Sequence, residues 1–400
     1  MSETALRAEP PQQQSSLRPL YVASTVCSMG MMGFVAAAGP LADTLGLSAW
    51  QIGLTATAGG AAWVFSARAW GRAADRLGRK SVLRMGLVGF TVAYVLLCAA
   101  AHVGIAWSLS PLVALAMLIL TRFGMGLTYS AIPAASAAVV ADHHGPETRA
   151  GAMGKLAAAQ SSGLLLGPAF VAAMASSSPT VPLFLLALLP IPAFAYLVVV
   201  LPADTKAPDA DAAQLPLHDA RVLRPVMAAF TVLIAVGIAQ IVIGFIALDR
   251  LQLPNSDALR VAGLALTSVG VCLVVAQLAV KRLDLSPYQL MRVGALISAV
   301  GFVASAFAPS AGTLIASYAF AGFGAGWVFP AISAAAANAV SDSEQGRAAG
   351  AVSSAMGLGA MVAPLIGGSL YTLSGNIPLI IGAGAMLLIA VIARQARAPA

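Results

Sequence analysis

Long apolar runs separated by short polar breaks repeat along almost the whole chain. Six runs fall at about residues 19–42, 50–70, 82–101, 109–140, 147–175 and 181–201. After a longer polar stretch, six more follow at about 225–248, 261–280, 290–308, 312–340, 346–372 and 376–393. A helix rising about 1.5 Å per residue needs about 20 apolar residues to cross the roughly 30 Å of bilayer hydrocarbon. Lipid offers no partner to backbone N–H and C=O groups, so each run must satisfy its own, as a helix does. The pattern predicts an all-α integral membrane protein with twelve transmembrane helices, the longest runs tilting or protruding from the bilayer.

Composition narrows the classes that remain. Of the 400 residues, 59% are hydrophobic and only 9% charged. A soluble domain carries about a quarter charged residues, so water is not the main solvent of this chain. The net charge of +7 sits in short clusters between apolar runs. That is a topology signal rather than a nucleic-acid face, and no nucleic-acid partner is expected. Cys27, Cys98 and Cys272 all lie inside apolar runs and read as thiols in lipid. No cluster of His, Asp and Glu and no nucleophile-and-base arrangement stands out, so neither metal, cofactor nor enzymatic activity is expected. The segment Met1–Arg18 is polar and lacks the basic-then-apolar pattern of a signal peptide, which reads as a cytoplasmic tail.

Basic residues set the expected orientation. Arg68, Arg72, Arg76, Arg79, Lys80 and Arg84 surround the connection between the second and third runs. Further basic residues follow the fourth run, lie between the eighth and ninth, and end the chain, whereas the opposite side offers only Arg250 and Arg260. The positive-inside rule then places both termini in the cytoplasm, and the expected location is a bacterial inner membrane. The polar stretch 202–224 reads as a cytoplasmic linker between two bundles, 19–201 and 225–400. Those halves are related: Gly124–Asp142 aligns without a gap to Gly324–Asp342, with nine of nineteen positions identical. An acidic residue and then Arg149-Ala-Gly151 or Arg347-Ala-Ala-Gly350 follows each. Two parallel six-helix halves with a site between them is a recurring transporter plan.

Between the second and third runs stands Gly71-Arg-Ala-Ala-Asp75-Arg76-Leu-Gly78-Arg79-Lys80. At that spacing and place it resembles the signature loop of the major facilitator superfamily. The resemblance implies a latch that steadies the outward-facing state. Asp75 would meet the start of the eleventh helix near Gly346–Gly350, and Arg76 would pair with Asp142 at the foot of the fourth. Independently of the resemblance, Gly71 permits close approach and Gly78 a tight turn. Arg79 and Lys80 either belong to the latch or only anchor topology. The corresponding stretch of the second half, Lys281-Arg282-Leu-Asp284, keeps charge but not the glycines. Gly78-Arg79-Lys80-Ser81 is not a nucleotide-binding loop, because the glycine required before the lysine is Arg79 and another is Ala74.

Arg122 falls deep inside the fourth run, where a charge costs at least about 2.5–3.5 kcal/mol on insertion scales. It should face a cavity or a partner; the alternative is a structural arginine donating to backbone carbonyls. With Gly126 it resembles the helix-four motif of drug:proton antiporters, which implies a part in proton movement. Gly163-Leu-Leu-Leu-Gly167-Pro168 resembles the front of the same branch's helix-five motif, although close packing of small residues explains it equally well. The first run lacks the central carboxylate of many drug exporters, so no proton site is assigned. Asp43, Asp249 and His102 sit near run ends and read as interfacial polar groups. In the implied fold the first, fourth, seventh and tenth helices line the pocket, which makes Met31, Met32, Tyr129, Gln240, Phe245, Trp327 and Phe329 candidates. Gln240 leads them, because an amide in mid-membrane seeks a partner. The expected function is proton-coupled export of a small organic compound, such as a drug, metabolite or siderophore, by a monomer. Import of a nutrient, and a non-transporting sensor, are the alternatives.

Overall fold

The computed structural model describes residues 17–144, 146–176, 178–201, 219–280, 284–341 and 344–394. Its first half contains α1 (Arg18–Thr44), α2 (Ala49–Leu77), α3 (Arg79–Ala106), α4 (Pro111–Tyr129), α5 (Ala131–His143), α6 (Pro146–Ala173), α7 (Thr180–Leu188) and α8 (Pro190–Val200). The second contains α9 (Leu223–Phe245), α10 (Asn255–Val280), α11 (Pro287–Ala306), α12 (Ala311–Ala337), α13 (Gln345–Leu373) and α14 (Ile377–Ile392). α4 with α5 makes the fourth crossing and α7 with α8 the sixth, giving twelve. The breaks fall at Ser130 and Leu189, next to Pro133 and Pro190. A π-helical turn, Ile246–Arg250, extends α9.

Ten of these crossings are long and apolar enough to span a bilayer by themselves. α14 is shorter, at 16 residues. α2 is long but ends in the arginine-rich stretch, where it runs on to Leu77 beyond the apolar boundary expected near residue 70. Its other end is fixed by a capping box, in which the Gln51 side chain accepts from the Ser48 N–H at 2.8 Å. Gly78, at φ 94°, makes the sharp turn from α2 into α3. The expected tail falls almost wholly outside the described residues, as do 202–218 of the linker, Lys281, Arg282 and Asp342.

The internal repeat is visible in the packing. Gly126 of α4 lies on the backbone of Gly59 in α2, and its repeat partner Gly326 in α12 lies on Leu273 of α10. Gly163 and Gly167 seat α6 on the backbone of α1 at Thr25 and Met29, while Gly359 and Gly367 seat α13 on α9 at Phe230 and Ile238. In each case a Cβ would collide with backbone, which no side-chain rotation relieves. The helix-five and helix-eleven glycines are thus packing residues here.

The two ends of the molecule differ. At the end remote from the arginine cluster the halves meet tightly: a Cβ on Gly39 of α1 would lie 2.5 Å from the Gly244 carbonyl carbon of α9. Gly53 and Gly368 close the α2–α13 seam against Pro364 and Ala49, and Gly263 closes α10 onto Pro168 of α6. At the arginine-rich end, Cβ atoms added at Gly71, Gly151, Gly154, Gly346 or Gly350 would meet none of the described residues within 4 Å. The halves are therefore splayed at that end.

Candidate transport site

The splay encloses a cavity of about 1320 Å³ between the halves. Its wall is largely apolar, with Met32, Trp63, Leu233, Leu273, Phe329 and Met356 among its residues. Gln240, Gln277, Ser161, Ser353 and Ser354 supply polar points, and Arg68 is the single charged residue on the described wall. Tyr318 also faces it and donates its hydroxyl to the Ala239 carbonyl at 3.0 Å, one residue from Gln240. This volume exceeds the roughly 300–1,000 Å³ of ordinary small-molecule pockets.

Of the pocket candidates, Met32, Gln240 and Phe329 lie on this wall. The expectation that α4 and most of α1 would line it is corrected: α2, α6, α10 and α13 contribute most of the surface. When the halves splay, the seams between α2 and α13 and between α6 and α10 open, and their facing sides become wall. Tyr129 is buried behind the wall, its hydroxyl 3.0 Å from Ser28 Oγ and its ring 5.8 Å from that of Trp63. Trp327 donates its indole N–H to the Ala276 carbonyl at 3.0 Å and fastens α12 to α10. Phe245 stacks with Tyr371, 5.5 Å away, near the closed end.

Arg122 does not line the cavity. It is 3% exposed, so its charge is held almost entirely out of solvent. Its guanidinium lies 4.3 Å from the Phe34 ring centroid, with the Met31 and Met125 sulfurs at 3.8 and 3.9 Å. A cation over an aromatic face is attracted by the ring quadrupole, and thioethers are weak acceptors. These replace both the cavity and the backbone carbonyls that the sequence suggested. Among the described residues, Arg122 Nε and the nearby Tyr94 hydroxyl have no hydrogen-bond partner.

At the arginine-rich end, Arg79 rather than Arg76 holds the acid. Its guanidinium bonds Asp75 one helical turn back, and its Nε donates to Asp142 Oδ2 at 3.2 Å. Arg76 is exposed. The reason is local: Gly78 reverses the chain, so Arg79 opens α3 facing the foot of α5. Lys80 donates to the Leu201 carbonyl just after α8. Asp75 does not reach Gly346–Gly350 in this conformation, because that ground is open. In the second half Arg221 bonds Glu344 at 2.9 Å, and Arg347 reaches the same carboxylate at 3.2 Å. The Arg221 guanidinium holds Glu344 down to about 2.

The closed end carries carboxylates of its own. Asn255 donates to Asp43 across the halves at 2.9 Å, and Tyr371 donates to Asp249 at 3.0 Å. Arg250, on the π-helical turn, caps the last carbonyls of α11, donating to Ala306 and Ser305 at 2.6 and 2.8 Å. Sequence reasoning did not single out Trp63 or Ser353, and read Arg68 and this capping arginine only as topology signals. A count of polar residues just inside the arginine-rich ends of α2 and α13 is the signal that would have found the first three.

Comparisons with known proteins agree with this geometry. The sequence profile described as "Major Facilitator Superfamily" matches residues 20–283 and 257–399. The chain is similar to a triacylglyceride transporter of Mycobacterium tuberculosis, 36% identical over 100 residues, 25% of this chain and 18% of the relative. A triacylglyceride transporter of Mycolicibacterium smegmatis is 33% identical over 100 residues, 25% of this chain and 16% of the relative. The match thus spans under a fifth of these relatives' length. Among solved structures, a bacterial homologue of the human lysosomal transporter Spinster, inward-facing and occupied, superposes with a TM-score of 0.80 at 12% identity. That superposition covers 96% of this chain and 97% of the other. The nucleoside transporter NupG gives 0.69 at 13% identity, covering 94% and 97%.

Proposed function

The chain belongs to the Major Facilitator Superfamily, and from that premise we propose that it exports a neutral or anionic amphipathic organic compound by alternating access. That it is a transporter and not an enzyme follows from the family. The proposal concerns direction, coupling and cargo. It rests above all on the cavity between the halves, sealed at one end, open at the arginine-rich end, and walled by apolar side chains. With the positive-inside rule the arginine-rich end faces the cytoplasm, so the structure is inward-facing, both termini are inside, and cargo loads from the cytoplasmic side of a bacterial inner membrane.

The wall favours some cargoes over others. A cationic drug desolvated in an apolar cavity needs a carboxylate, because a buried charge without a partner is costly. The described wall carries no acid and one arginine. Neutral and anionic compounds therefore suit it better than cationic ones, and the names of the mycobacterial relatives point the same way. Coupling to protons is supported by the resemblance of Arg122–Gly126 to the antiporter motif, with Asp43 and Asp249 as the carboxylates nearest the seal. Import by proton symport is the second reading, favoured by the lack of a central carboxylate. Inverted vesicles with an imposed pH gradient separate the two. Export predicts gradient-driven accumulation of an apolar anionic dye inside them, lost on adding a protonophore. Accumulation only in right-side-out vesicles would overturn export.

A further inference from the structure

α2 and α13 touch along a ladder that ends abruptly. From the sealed end it descends through Gly368 on Ala49, Gly53 on Pro364, and Gly60, whose Cβ would lie 3.1 Å from Met361 Cα. The last rung is Gly357, whose Cβ would lie 3.6 Å from Val64 Cγ2. Below it the helices part, and Cβ atoms on Gly350 and Gly346 of α13 and on Gly71 of α2 would meet none of the described residues within 4 Å. The residues next below the last rung are Phe65 and Arg68 on one side and Ser353 and Ser354 on the other, and all four line the cavity. Phe65 is 75% exposed, which makes it a doorway residue rather than part of a closed wall.

The depth of this slot follows from helix geometry. From the Ser48 cap to Arg68 is twenty residues, or about 30 Å of rise, the thickness of the hydrocarbon core. Arg68 therefore lies at head-group level in the leaflet of the arginine-rich end. Phe65 lies about one turn deeper, among acyl chains. A chain that moves from a bilayer into an apolar cavity exchanges one apolar surrounding for another and gains little from the hydrophobic effect. Selection must then come from the head group, and the one charge on the described wall stands at its level.

We infer that the cargo is an acyl lipid with an anionic head group, taken laterally from the cytoplasmic leaflet through the slot between α2 and α13. Arg68 contacts the head, and the chain passes Phe65 toward Trp63 and Met356. The seam between α6 and α10 also parts, at Leu164 and Val274, but its described wall residues carry no charge. This inference rests on the export reading above.

The probe is fluorescent phosphatidylglycerol, with phosphatidylcholine of the same chains as its zwitterionic counterpart. Detergent-solubilised full-length protein should bind phosphatidylglycerol more tightly. Arg68→Gln should weaken that binding by about tenfold or more, as expected for a lost charge-assisted contact, and so remove the preference over phosphatidylcholine. An unchanged melting temperature and a monodisperse gel-filtration peak show that the variant is folded. In proteoliposomes, a photoreactive group on the phosphatidylglycerol chain should label peptides containing Phe65 and Ser353. A pH gradient should move the fluorescent lipid between leaflets. Equal binding of the two lipids, full phosphatidylglycerol binding by Arg68→Gln, labelling confined to lipid-facing helices, or no gradient-driven movement would each overturn the inference. Movement of a water-soluble apolar anion without any lipid binding would leave export standing and remove the lipid. Lipid binding with no gradient-driven flux of any compound would overturn the export reading as well.

Discussion

Gly39→Ala tests the seal. The Cβ it adds would lie 2.5 Å from the Gly244 carbonyl carbon, 2.6 Å from Gly244 Cα and 2.8 Å from the Phe245 nitrogen. Carbon–carbon contacts are comfortable at about 3.5–4.0 Å, so α1 and α9 must separate by about 1 Å where they cross. All three atoms are backbone, and no rotamer change relieves the clash. Overpacking of this size costs about 1–3 kcal/mol. Under alternating access the cost falls on the conformation with this end shut, because opening this end separates the two helices. The balance should shift toward the opposite conformation by about 5- to 150-fold. Spin labels on Thr44→Cys and Asp257→Cys, with the native cysteines replaced, report the gap at this end by pulsed distance measurement. The expected result is a longer distance in the Gly39→Ala protein. Gly154→Ala is the control, since its Cβ meets none of the described residues within 4 Å. An unchanged distance distribution with unchanged thermal stability would refute the reasoning.

Other expectations can be checked in parallel. Arg122→Met should keep or raise thermal stability, because replacing a buried ion by an apolar side chain of similar size is often neutral or stabilising by about 1–4 kcal/mol. It should abolish pH-gradient-driven accumulation, and a large fall in melting temperature would show instead that Arg122 holds the fold. Asp142→Asn, which weakens the 3.2 Å contact to Arg79, should change the ratio of the two conformations in spin-label measurements while leaving ligand binding intact. The Arg221–Glu344 tie has a definite pH sign. Glu344 ordinarily titrates near 4.5 and is held at about 2 here, so the tie is fully present above about 4.5 and lost as pH falls toward 2. Hydrogen exchange at Arg221 and Val222, corrected for intrinsic rates, should be flat from pH 8 to 5 and rise only below about 4.5, whereas Glu344→Gln should raise it throughout.

Most of the fold was legible because lipid imposes it: apolar runs must be helices, and their ends carry charge. The errors have physical causes. α2 overran its expected end because a helix leaving the bilayer continues in water as long as arginines, good helix formers, follow. The breaks at Ser130 and Leu189 were masked by unbroken hydropathy, with only Pro133 and Pro190 to mark them. The site was less legible. Which side of a helix faces the cavity depends on how two rigid halves tilt, and no local pattern records the tilt. Gln240 and Phe329 were found because they lie on helices that face inward, while Trp63, Arg68 and Ser353 lie on the splayed seams. Arg76 and Arg79 were indistinguishable as residue types. The reversal at Gly78 decides between them, and it is a property of the turn.

The central claim is that cargo moves only as the sealed end opens. Asp43 and Asn255 bridge the halves there at 2.9 Å. Replacing Asn255 and Thr44, the neighbour of Asp43, with cysteine, in a protein lacking Cys27, Cys98 and Cys272, keeps Asp43 and allows a reducible bifunctional cross-linker to hold that end shut. The account predicts that cross-linking abolishes pH-gradient-driven accumulation in inverted vesicles, leaves ligand binding from the arginine-rich side intact, and is reversed by reductant. Undiminished accumulation with the cross-link in place would contradict it.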